Sequence, residues 1–162
     1  MRRLLISCAL VALLVFPAAA AARQNAPGDG TLVVHNAYGT VSIVATGGMI
    51  GWCDHCTVTI VDPQPGDGTG PIVSGQESKQ DLTDTKSRWA GYDVRFRLIG
   101  GFFRLRVYGS GIELSAVGRG QGTIRGMGTV NDGTYAVNGG DRRPLPDDLR
   151  AFWIGAPPLT PG

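Results

Sequence analysis

The sequence is poor in the groups that most often carry out reactions. It holds two histidines, His35 and His55, two glutamates, Glu77 and Glu113, and three cysteines, Cys8, Cys53 and Cys56. A facing acid pair for glycoside hydrolysis would need Glu77 and Glu113, and nothing in the text brings them together. The histidines and scattered serines show neither a triad order nor a nucleophile elbow. The glycine-rich GRGQG at residues 118–122 lacks the strand-to-helix setting of a phosphate loop. No segment after residue 22 repeats apolar residues every 3.6 positions, which argues against a fold built on amphipathic helices. No later run is long and apolar enough to cross a bilayer, and no LPxTG-type motif ends the chain, so neither an internal span nor sortase attachment is expected.

What is present begins with MRRLLISCALVALLVFPAAAAARQ. Arg2 and Arg3 precede an apolar run over residues 4–16, then Pro17 and a tract of alanines. This is the plan of a secretory signal peptide, and the run is shorter than the roughly 20 residues of a membrane span. The expected organisation is a signal peptide at 1–22, a flexible lead-in at 23–30, a single domain at 31–154 and a loose tail at 155–162. Cleavage is expected among alanines 18–22. Without Arg2 and Arg3 the 15 Lys+Arg fall to 13, which balances the 13 Asp+Glu. A neutral mature protein gives no global attraction to nucleic acid or an anionic membrane, so an electrostatic partner must be sought in local patches.

Twenty-five glycines, ten prolines and abundant Val, Thr and Ile favour short strands and tight turns. The strongest pattern is at residues 94–128, VRFRLIGGFFRLRVYGSGIELSAVGRGQGTIRGMG. There Val94, Phe96, Leu98, Phe103, Leu105, Val107, Ile112 and Leu114 alternate with polar residues and form the expected core. Strands read at TLVVHN, TVSIVAT, GGMIGW and CTVTIVD, with hairpins between them. An edge strand is expected at 71–74, and the hydrophilic segment 75–91 reads as extended. A short strand at 134–137 follows, and Phe152, Trp153 and Ile154 are expected to dock or pair last. VSIVATG at 41–47 echoes IELSAVG at 112–118, which suits two similar sheets face to face. The expected fold is all-β, mostly antiparallel, in a sandwich or barrel-like double sheet, with a short β-solenoid as the alternative.

RFRLIGGFFRLRV, GIELSAVGRG and NDGTYAVNGG, with GTLVV near the mature start, resemble a group of small exported hypothetical proteins of high-GC Gram-positive bacteria. The resemblance covers most of the mature chain. It implies export and an all-β fold and supplies no activity. Cys53 and Cys56 have no place in that group's pattern.

Two local constellations stand out. Trp52-Cys53-Asp54-His55-Cys56 has the text of a thioredoxin-type site, but the strand-like TVTIVD that follows offers no helix terminus to stabilise a thiolate. The spacing predicts a disulfide between Cys53 and Cys56 across a tight turn. Free thiols, redox exchange, and a metal site with His35 or His55 are the competing readings. The second constellation is Arg95, Arg97, Arg104 and Arg106, with Arg119 and Arg125 nearby. On a hairpin these form a guanidinium ladder suited to an anionic cell-wall polymer or acidic glycan, unless acids such as Asp93 and Glu113 neutralise it. Asp29, Asp62 and Asp67 match no standard calcium loop. The sequence therefore points to an exported, non-catalytic cell-envelope or extracellular structural or ligand-binding module without a cofactor. An enzyme, thiol-redox through Cys53/Cys56 or a carboxylate hydrolase, is the alternative.

Overall fold

Two long strands carry the architecture of the protein, whose computed structural model describes residues 28–157. The expected signal peptide and most of the lead-in and tail lie outside the described residues. Strand β1 runs over Gly30–Val61 and β4 over Lys86–Gly126. The shorter strands are β2 (Ile72–Ser74), β3 (Ser78–Thr83), β5 (Thr134–Val137), β6 (Arg143–Pro144) and β7 (Arg150–Ile154). All pairings are antiparallel, in one seven-stranded sheet that is not closed into a barrel. No helix forms among the described residues.

The register shows how one sheet makes a two-sided core. Gly118 of β4 pairs with both Gly30 and Gly47 of β1, seventeen positions apart, and Gly47 pairs with both Gly101 and Gly118. Each long strand is therefore flanked by the other on both edges, and the two wind together as an antiparallel ribbon. The sheet bends at two rows of small residues. One row is Gly30, Gly118, Gly47 and Gly101; the other is Gly126, Gly39, Gly109, Cys56 and Gly91.

Between these rows the strands form two layers. Residues 30–35, 48–54, 94–99 and 112–117, with β2, β5 and β6, make the first layer. Residues 39–46, 56–61, 86–91, 102–109 and 119–126, with β3 and β7, make the second. The inward positions of both layers meet in one core. Leu32, Met49, Val94, Leu98 and Ile112 come from the first layer, and Val41, Val58, Phe103, Val107 and Ile124 from the second; all are essentially inaccessible to water.

The alternation predicts this core well, since all eight residues expected from 94–114 are buried. The predicted hairpins are corrected. TLVVHN, TVSIVAT, GGMIGW and CTVTIVD are consecutive parts of β1, and IGG at 99–101 bends β4 without reversing it. Residues 94–98 and 103–107 accordingly do not pair with each other. Both pair with β1, at 49–53 and 41–45. Glycine permits a bend as readily as a reversal, and here distant partners select the bend. The 41–47 and 112–118 echo falls in opposite layers, and its two copies end at the paired Gly47 and Gly118.

The short strands follow the expectations more closely. β2 lies where the text places an edge strand and β5 where it places a short strand, and the hydrophilic stretch is extended as β3, which turns back onto β4. Ile154 of β7 is buried and Phe152 packs against the core.

Candidate anion-binding face

Outward residues of the second layer fall into cross-strand rows. The central row reads Gln80, Arg88, Thr59, Arg106, Ser42, Thr123, Ala151, and the next reads Lys86, Val61, Arg104, Val44, Gln121, Trp153. A third reads Ala90, Thr57, Tyr108, Thr40, Arg125. No position in these rows carries a carboxylate. Alternate residues on a strand lie about 7 Å apart, and alternate strands about 10 Å apart. Lys86, Arg88, Arg104 and Arg106 therefore form a grid of cations on that spacing, floored by threonine, serine and valine. A chain with a formal net charge of only +2 thus has a strongly positive face.

Ion pairing leaves the grid unneutralised. The ion pairs among the described residues are His35 with Glu113, Lys79 with Asp81, and Arg119 with Asp29. Arg125 Nε donates to the Asp147 carbonyl oxygen at 3.1 Å, which leaves its charge unopposed. At the β7 side a shallow hollow of ≈320 Å³ is lined by Ser42, Gln121, Thr123 and the half-exposed Trp153, placing hydroxyl, amide and indole groups beside the arginines.

The four predicted arginines separate into two pairs. Arg104 and Arg106 project from the second layer, whereas Arg95 and Arg97 project from the first, because the bend at 99–101 carries the strand from one layer to the other. The single ladder expected from a hairpin does not form. On the first layer the rows are Ser74, Arg95, Trp52, Glu113 and Ile72, Arg97, Ile50, Ser115, Val33. Glu113 does not neutralise Arg95. Its two oxygens lie 2.8 and 3.0 Å from His35 Nδ1, and it also accepts the Asn36 N–H at 3.0 Å.

Cys53 and Cys56 are disulfide-bonded, with Cα atoms 6.0 Å apart. They span the corner between the two layers inside β1, not a reversing turn. Cys56 stands in a row otherwise made of glycine. Among the described residues no helix terminus faces either sulfur. His55, between them, stacks on Tyr92 with ring centroids 4.5 Å apart and planes inclined by 13°.

The described carboxylates and histidines do not gather. No group of three or more His, Cys, Asp or Glu side chains could hold a metal among the described residues. The Asp67 carboxylate is held low in pKa by hydrogen bonds from the Thr69 side chain and backbone. Glu77 lies against Gly91, whereas Glu113 holds His35.

Sequence reasoning missed Arg88 and Lys86 as members of the cationic face. They lie in the segment read only as hydrophilic, and their position beside Arg104 and Arg106 depends on pairing through β1. Comparison with protein-family models, curated proteins and solved structures finds no match to this chain.

Proposed function

We propose that this protein is a non-catalytic cell-envelope or extracellular module that binds anionic polymers through the outer face of its second layer. The observation that carries this reading is the grid of Lys86, Arg88, Arg104 and Arg106, which has no carboxylate in its cross-strand rows. Like charges gathered on one face repel one another, and a polymer bearing regular phosphate, sulfate or carboxylate groups would relieve that repulsion. Arginine suits the role because its planar fork holds such groups by two hydrogen bonds. A flat, open face fits an extended chain better than a small enclosed ligand.

The test is retention on immobilised heparin and on polyglycerol phosphate at low salt. Arg104→Ala/Arg106→Ala should elute at markedly lower salt than wild type from both, while Arg95→Ala/Arg97→Ala should elute close to wild type from polyglycerol phosphate. Equal retention of wild type and Arg104→Ala/Arg106→Ala would overturn the proposal.

A further inference from the structure

The first layer carries a different surface on the opposite side of the molecule. Trp52 stands at its centre with 42% of its surface exposed. Arg95 is its cross-strand neighbour on one side and Glu113 on the other, and Arg97 stands beside Ile50 in the next row. Between Trp52 and the β2 edge lies a trough of ≈550 Å³, bordered by Ile50, Ile72, Ser74, Asp93 and the two arginines. Exposing an indole and two isoleucines on a sheet face is costly in water, because apolar surface gains free energy on burial. Ile50 and Ile72 are both more than half exposed.

We infer that this trough is a stacking subsite for a uronic acid residue of an oligosaccharide. The indole face is broad, apolar and electron-rich, so the C–H-lined face of a pyranose ring can pack on it. Arg95 and Arg97 lie where either could hold a ring carboxylate by two parallel hydrogen bonds. Ser74 and Asp93 supply groups for ring hydroxyls. Two arginines against one aspartate leave one net positive charge in the trough, which suits one carboxylate per sugar ring. A nucleic acid strand is disfavoured, because successive bases need successive platforms and Trp52 is the single aromatic in the two rows of this face. This site is independent of the cationic grid on the other layer, and each can fail without the other.

The experiment is an NMR titration of the whole protein with trigalacturonate, following the Trp52 indole N–H and, in all variants, the backbone amides of Ile50 and Ile72 beside it. The controls are neutral galactotriose and a thymidylate trinucleotide. Trigalacturonate should shift the Trp52 resonance saturably. Arg95→Gln/Arg97→Gln should weaken binding at least tenfold, and Trp52→Ala should abolish it. Trp52→Phe should retain part of it, which separates loss of the platform from loss of the fold. Arg104→Ala/Arg106→Ala should bind trigalacturonate like wild type. An unmoved Trp52 resonance would overturn the proposal, as would equal binding of galactotriose or tighter binding of the trinucleotide.

Discussion

Gly47 and Gly118 pair with each other at the bend between the layers, and each leaves room for the carbonyl oxygen preceding the other. A Cβ on Gly118 would strike the Thr46 oxygen, and a Cβ on Gly47 the Val117 oxygen. Their φ angles of 142° and 150° lie where only glycine is comfortable. Gly118→Ala should therefore destabilise the protein by about 2–3 kcal/mol, from strain and displaced pairing together. Gly48 is the control. A Cβ there meets nothing closer than Leu98 O at 4.0 Å, so Gly48→Ala should change stability by less than about 1 kcal/mol. Urea denaturation of both variants measures the difference.

The Cys53–Cys56 disulfide closes a loop of four residues, so its removal should cost about 2 kcal/mol or less. Cys53→Ser/Cys56→Ser should remain folded with a modestly lower melting temperature. The reduced wild type should behave similarly. A collapse of the fold on reduction would show that the corner depends on the bridge.

Asp132 gives the stability a pH dependence. Burial pushes its carboxyl up in pKa, but hydrogen bonds from Thr129 and from the backbone of residues 127–129 outweigh this, and the net shift is downward. Gly128 N–H and Thr129 N–H donate to Oδ2 at 2.7 and 3.1 Å, and the Thr129 hydroxyl donates to Oδ1. A carboxyl lowered in the folded state stabilises it above the unfolded value of about 3.9 and loses that contribution as pH falls through the folded value. The melting temperature of Asp132→Asn should lie below wild type at pH 6. The gap should narrow below about pH 4, as scanning calorimetry across that range would show.

The cationic grid predicts opposite effects on stability and binding. Thr59 separates Arg88 from Arg106, and neither arginine has an ion-pair partner among the described residues. Arg88→Thr/Arg106→Thr should leave stability unchanged or raise it by up to about 1 kcal/mol, because repulsion is relieved and threonine suits a strand. The same variant should lose retention on heparin. A destabilised variant would mean that these side chains serve the fold.

The core was legible in the sequence and the pairing was not. Val94, Phe96 and Leu98 alternate with arginines whatever their partner, so burial follows from local spacing. The partner of Leu98 is Met49, 49 positions earlier, and no local signal distinguishes that from a hairpin with Phe103. The same blindness placed Arg95 and Arg104 on one surface. Their outward direction is a property of alternation, but their layer is a property of the bend at 99–101. Trp52 was noticed only as the neighbour of Cys53, because its trough is assembled from β1, β2 and β4.

The intertwining of β1 and β4 has a consequence for how the chain reaches this state. Val61 and Lys86 are the closest of their paired positions in sequence, and the ladder extends outward to Gly30 with Gly118. Ordering can begin at that end and close like a zipper, each step enclosing a longer loop than the last. Topologies of this kind fold slowly. Until residues 86–126 have been synthesised, β1 has no partner and its apolar face lies open, so the nascent chain is most vulnerable to aggregation over that interval.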